Sequence, residues 1–242
     1  LLTEVYFENN DMYFKRFHKI CSFSENKRGL VLLIEKKHSL LTQSVVIEGH
    51  CLYAKIKMAT LIIDVFGIYG SADCNDTLSS NLMCKIYDSV SNVIKDGAKL
   101  LFGDFNCNMN NNSKPKTRAI IDNLLCDFDL SDIGKIYGSK PTWQGRGFRA
   151  GSLSRLDLVL TNLTMKKNQF LIFPTSSDHD LIIYSYFYSQ SKNQANKTCK
   201  DYILNNDIFI EESLQAISKI LVENSDQFID STISLPSNNV DN

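Results

Sequence analysis

Apolar residues come in strand-sized runs along most of the chain. Residues 29–34 (Gly-Leu-Val-Leu-Leu-Ile) predict a buried strand, and 45–57 and 60–69 predict two more joined by a short turn. Over 77–96, Leu82, Ile86, Val90, Val93 and Ile94 recur at helical spacing, and Gly97 stands where such a helix would stop. A short apolar strand, 98–102, runs straight into Gly103-Asp104-Phe105-Asn106 and an Asn-rich stretch through Asn112, read as a turn region too polar to be buried. Residues 115–126 predict a second helix with Ile120, Ile121, Leu124 and Leu125 along one side, and 155–161, 169–173 and 180–188 read as further strands. Many strands with a few interspersed helices imply a layered α/β or α+β core over residues 1–188.

From Ser189 the composition turns polar, which predicts a linker over 189–201. Beyond it, Ile210, Leu214, Ile217 and Leu221 give residues 202–230 an apolar helical stripe, while 231–242 read as a disordered tail. With 43% apolar residues in 242, the chain can bury a real core, so its function belongs to a site. A net charge of −1 excludes the strongly basic character of a protein that grips nucleic acid non-specifically. Seven scattered cysteines with no C-x-x-C pair suggest neither a disulfide framework nor a zinc ribbon, and are read as reduced thiols of an intracellular protein, nuclear or cytoplasmic. No apolar run approaches a membrane span, and no basic region marks a signal peptide. No Met opens the chain, which reads as a piece of something longer.

Polar residues sit directly after apolar strands at four places: Glu4, Tyr69, Asp104 with Asn106, and Asp178-His179. Asp157, in Ser154-Arg155-Leu156-Asp157, lies at the start of a strand. In layered α/β proteins catalytic groups gather where strands end, because the sheet fixes them while the loops stay open to substrate. Phosphodiester hydrolysis needs charge neutralisation, an oriented water and help for the leaving oxygen; carboxylates, an amide, a phenol and one imidazole supply that set. Glu4 is the natural ligand for a hard cation such as Mg²⁺, and Asp157 is suited to hold His179 in one tautomer and favour its protonated form. His18, His38 and His50 read as structural or surface residues. Trp143 reads as core or loop support, and Arg146, Arg149 and Arg155 as a basic cluster beside the site.

These motifs, in this order, resemble the endonuclease/exonuclease/phosphatase family, and within it the endonuclease domain of LINE-type retrotransposons. Leu2-Thr3-Glu4-Val5 stands for the family's L-Q-E-T, Arg28-Gly29-Leu30-Val31 for its R-G-V strand and Gly67-Ile68-Tyr69 for its N-x-Y strand end. Gly103-Asp104-Phe105-Asn106 is its G-D-F-N, Thr142-Trp143 with Ser154-Arg155-Leu156-Asp157 its T-W and S-R-I-D, and Ser177-Asp178-His179 its S-D-H. The resemblance implies a four-layer α/β sandwich of DNase I type. It also implies a DNA endonuclease that leaves a 3′-hydroxyl for target-primed reverse transcription, with DNA as substrate and a reverse transcriptase domain in the full-length protein. Asp104, Asn106, Asp157, His179 and Tyr69 are then catalytic, Glu4 and Asp178 hold Mg²⁺ (Mn²⁺ as a substitute), and Arg155, Thr142 and Ser154 contact substrate. A monomer is expected.

Three departures stand out. The family's first strand, with its Asn, precedes Leu1, so a sheet edge or gap is expected beside Glu4 and poor nicking without roughly 30–40 upstream residues, the size of a β-α-β unit. Thr3 replaces the usual Gln, and Ser71-Ala72 replaces the Pro-Asn after the tyrosine. These departures keep open a decayed or domesticated copy without catalysis, and the shared motif set keeps open a repair-type abasic endonuclease and a phosphatase or sphingomyelinase of the same fold acting on a small phosphoester.

Overall fold

The computed structural model describes residues 1–3, 15–25, 28–93, 97–146, 150–163 and 168–186. Glu4, Arg149 and everything predicted for 189–242 lie outside the described residues. The elements run β1 (Leu2–Thr3), β2 (Phe17–Phe23), β3 (Gly29–Glu35), β4 (Ser39–Ile47), β5 (Cys51–Met58), β6 (Leu61–Tyr69), α1 (Asp76–Val93), β7 (Ala98–Asp104) and α2 (Pro115–Asp127). There follow β8 (Ser131–Asp132), α3 (Ile133–Ile136), β9 (Trp143–Gln144), β10 (Leu153–Ser154), β11 (Asp157–Thr161), β12 (Asn168–Phe173) and β13 (Leu181–Tyr186).

The central sheet has the order β4-β5-β6-β7-β11-β8 and is antiparallel except where β6 and β7 run side by side. That parallel pair needs a crossover, which α1 provides. One face of the sheet packs on helices: Phe66, Ile68, Leu101, Leu158 and Leu160 meet Met83, Ile86 and Val90 of α1 and Ile121 and Leu124 of α2. The other face packs on a small sheet of order β1-β3-β2. There Leu52, Ala54, Ile56, Ile63 and Val65 meet Ile20, Leu30, Leu32 and Ile34. Helices, six-stranded sheet and small sheet give the expected α/β sandwich, with three of its four layers among the described residues. β6 reads as an almost continuous apolar run because both of its faces are covered. β1 is the edge of the small sheet, paired with β3 through Leu2 and Val31. β12 and β13 form a separate hairpin, touched by α3's flank through Tyr137 and Phe170, whose ring centroids lie 5.9 Å apart.

Several expectations change. The single strand over 45–57 is two, because the chain turns at residues 48–50, where Gly49 has φ +69° and its N–H donates to the Ser22 hydroxyl at 2.7 Å. β2 and β4 were not foreseen. The Asn-rich stretch is exposed, as expected, over 110–112, but before it Phe105, Cys107, Asn108 and Met109 are buried. Apolar side chains alternate with asparagines there, and the asparagines use their amides to tie loops together.

The two helices are coupled at one carboxylate. Lys114, at the N-cap of α2, makes no side-chain capping bond, and Asp76 of α1 substitutes for it. Its oxygens accept from the Lys116 N–H at 2.8 Å, the Thr117 N–H at 3.0 Å and the Thr117 hydroxyl at 2.8 Å. Burial opposes the charge on Asp76, but these bonds outweigh it and hold its pKa below the usual carboxylate value.

Candidate active site

The register of the central sheet places Tyr69 beside Asp104 in the β6–β7 pair and Asp104 opposite Asp157 in the β7–β11 pair. All three occupy the face turned toward the small sheet. Phe66, Ile68, Leu158 and Leu160 point to the helices, and Tyr69 belongs with Val65 and Ile63 on the other side. Side-chain alternation thus lines up a phenol and two carboxylates at one end of three adjacent strands.

Glycines permit this closeness. At Gly103 (φ +140°) an added Cβ would lie 2.0 Å from the Ile68 carbonyl oxygen, and at Gly70 it would lie 2.2 Å from that of Phe105. The Gly70 N–H donates to the Asp104 carbonyl at 2.7 Å, closing the strand ends together. Asp104 is 1% exposed. Both its oxygens are engaged by Asn106, whose backbone N–H donates to Oδ1 and whose Nδ2 donates to Oδ2, each at 2.8 Å. Asn106 takes a left-handed conformation (φ +48°), which asparagine tolerates, and Nδ2 also donates to the Gly70 carbonyl at 3.1 Å.

His179 joins the row from the other direction. Its Nδ1 donates to Asp157 Oδ2 at 2.9 Å. The same oxygen accepts from the Thr142 hydroxyl at 2.7 Å, and that hydroxyl accepts the N–H groups of Leu156 and Asp157, each at 3.1 Å. The 178–180 segment is held against β9: Gln144 N–H donates to the Asp178 carbonyl and Asp180 N–H to that of Thr142, both at 2.8 Å, with a β-bridge between Trp143 and His179. Burial pushes the His179 pKa down, but the hydrogen bond and charge of Asp157, with further charge from Asp104 and Asp178, outweigh it and raise the value to about 9. His179 is therefore an imidazolium at neutral pH.

The structure brings Tyr69, Asp104, Asn106, Asp157, Asp178 and His179 to one end of the sheet and gives other work to the expected substrate contacts. Arg155 is 2% exposed and forms a two-pronged ion pair with Asp132, at 2.9 Å from each terminal nitrogen. Asp132 also caps α3 through the Lys135 N–H. Arg155 thus locks α3 to β11 and has no free face for a phosphate, contrary to expectation. Thr142 is 0% exposed and holds Asp157 instead of touching substrate. Ser154 Oγ accepts from Asn108 Nδ2 at 3.1 Å, bracing the buried loop. Trp143 Nε1 donates to Asp178 Oδ2 at 3.2 Å, in keeping with loop support, and Arg146 bonds the Ser176 carbonyl.

Two residues near the site were not foreseen. Lys114 Nζ donates to the Ser71 carbonyl at 2.9 Å and the Ser79 hydroxyl at 3.1 Å, holding the segment where Ser71-Ala72 stands. His50 lies against Tyr69; the signal was available, since hairpin pairing puts the residue before β5 beside the last residue of β6.

Metal fit rests on donor chemistry. Among the described residues no three His, Cys, Asp or Glu side chains converge as a cage. The oxygens of Asp104, Asn106 and Asp178 nevertheless suit a hard cation that keeps several waters. The carboxylate charge that raises the His179 pKa is the negative potential such a cation would relieve.

No family model and no curated protein matches the sequence. Solved structures do match in shape, and they show the fold, a DNase I-like α/β sandwich. The endonuclease domain of TRAS1, a telomere-specific non-LTR retrotransposon, superposes with a TM-score of 0.58 at 13% identity, over 73% of this chain and 83% of that one. TDP2 of D. rerio, solved in complex with a single strand DNA product, gives 0.53 at 12% identity, over 70% and 76%. A mannosyl-6-phosphatase of Bacteroides thetaiotaomicron gives 0.51 at 12%, over 74% and 79%.

Proposed function

We propose that this chain is a divalent-metal-dependent endonuclease that nicks DNA and leaves a 3′-hydroxyl, serving a retrotransposon whose reverse transcriptase extends that end. The observation that carries the reading is the row Tyr69–Asp104–Asp157 closed by the 2.9 Å bond from His179, a constellation in which one carboxylate is buried and one imidazole is kept charged. The same-fold structures include an endonuclease domain from such an element and a protein bound to a DNA product, which supports the nucleic-acid reading, beside a phosphatase of the same fold.

Asp104, oriented by both nitrogens of Asn106, positions a water and accepts its proton as the water oxygen bonds to phosphorus. The bond to the 3′ oxygen breaks, the phosphate stays on the 5′ side, and the 3′ oxygen takes a proton from solvent. His179, held charged by Asp157, donates to a non-bridging oxygen as negative charge builds there. Tyr69 and Asp178 complete the polar wall. A bound Mg²⁺ or Mn²⁺ would supply further neutralisation of the phosphate, held by Glu4 and Asp178 with the neighbouring oxygens of Asp104 and Asn106.

The test is conversion of supercoiled plasmid to open circle, with Mg²⁺ and with chelator, followed by polymerase extension from the nick. We expect Mg²⁺-dependent nicks that a polymerase extends, and a loss of about 10²–10⁴-fold in His179→Ala or Asp104→Ala, the scale of a positioned acid–base group. Near-wild-type nicking by either variant refutes the assignment. Cleavage confined to an abasic oligonucleotide would make it a repair enzyme.

A further inference from the structure

The site row extends one strand further than the catalytic set. Cys51 pairs with Ile68 in the β5–β6 register, so His50 falls opposite Tyr69, and Leu52, Ala54 and Ile56 show that even-numbered positions of β5 face the small sheet. His50 therefore stands on the same face as Tyr69, Asp104 and Asp157, and with them spans four adjacent strands. It holds Tyr69 from both sides of the backbone: the Tyr69 N–H donates to the His50 carbonyl at 2.9 Å, and His50 Nδ1 lies 2.8 Å from the Tyr69 carbonyl oxygen. A carbonyl oxygen only accepts, so Nδ1 carries the proton. The two rings stack at 15° with centroids 5.9 Å apart. His50 is itself seated by the turn at Gly49, anchored to Ser22 in the small sheet.

We propose that His50 is a positioning residue for the cleavage reaction: it acts through Tyr69, fixing the end of β6 and the plane of the tyrosine ring against the row. The inference rests on the endonuclease reading. A side chain that only filled space would have no use for a particular proton on Nδ1, and its loss would be felt equally with or without the Tyr69 hydroxyl.

Three variants in the full chain separate these cases. His50→Phe keeps a ring but removes the donor, His50→Asn restores a donor near the place of Nδ1 without the ring, and Tyr69→Phe removes the phenol. In the Mg²⁺ nicking assay we expect His50→Phe to lose about 10- to 100-fold, in kcat rather than KM, as expected for a misplacement of up to about 1 Å. His50→Asn should recover most of that loss, and His50→Phe should add little in the Tyr69→Phe background. Wild-type rates for His50→Phe, or the same loss with and without the tyrosine hydroxyl, overturn the proposal. Nitrogen-15 spectra of the histidines in the folded wild-type chain give a reading independent of activity. A protonated Nδ1 on His50, assigned by its disappearance in His50→Asn, supports the grip on Tyr69, and a bare Nδ1 overturns it. If the wild-type chain leaves plasmid intact even when extended upstream by roughly 30–40 residues, the endonuclease reading fails, while the spectrum still decides whether His50 holds Tyr69.

Discussion

At the scale of single residues, the charge state of His179 sets the pH behaviour. With its pKa raised to about 9 by Asp157 and the nearby carboxylates, a value that a cation on those carboxylates would lower, nicking that depends on the imidazolium should fall on the alkaline side, at or below about pH 9. Asp157→Asn removes the first of those favourable partners, so the alkaline limb of the pH–rate profile should move toward neutrality and the proton titration of His179 should follow it. An unmoved limb would assign the pH dependence to another group. The same shift is a stability statement. Because the folded value lies above the unfolded value of about 6.5, the contribution is complete below that pH and is lost as the pH rises through about 9. Arg155 makes a different prediction. Arg155→Ala strands the Asp132 carboxylate in the interior and should destabilise the fold by roughly 3–5 kcal/mol in urea denaturation, with Asp132→Ala in the same chain recovering part of the loss. A phosphate-binding arginine would leave stability unchanged, and that outcome would restore the substrate-contact role.

At the scale of elements, the joint between α1 and α2 is testable through Asp76. Asp76→Ala leaves the first turn of α2 without its acceptor and should cost about 1 kcal/mol, the usual scale of a lost N-cap. Since the Asp76 pKa is lowered on folding, its contribution is present at neutral pH and fades as pH falls through the carboxylate range, so wild type and variant should converge in acid. A difference that persists at low pH would mean packing, not capping. Elements also show what the sequence made legible. Helices α1 and α2 and strands β3, β6, β7 and β11 were readable because covered faces leave unambiguous apolar runs or periodicity. β4 was not: it is an edge strand, largely exposed, with register shifts at Leu40/Thr42 and Val45/Ile47 that break any alternation. The turn at Gly49 was hidden between two apolar stretches that read as one. Of the site, Tyr69, Asp104, Asn106, Asp157, Asp178 and His179 were legible from ordered motifs. The burial of Arg155 was not, because its partner Asp132 lies 23 residues away and only the β8–β11 pairing brings them together.

At the scale of the molecule, residues 1–188 and 189–242 separate as two units. The net charge of −1 further implies that non-specific duplex binding is weak and changes little with salt. A steep loss of binding between low and moderate salt would point to a concentrated basic surface. The row of residues across β6, β7 and β11 has one more implication, for how such a protein diverges. Its members come from positions 69, 104 and 157, yet they are neighbours because of strand register alone, so the lengths of the connections between them do not enter the geometry. Connections that carry no member of the site, such as the one between β9 and β10, can be lengthened or swapped while the site groups stay put, whereas the asparagine loop, buried over 107–109 and carrying Asn106, cannot. A single residue inserted within β7 has the opposite effect, turning Asp104 to the helical face and erasing the chemistry at a stroke.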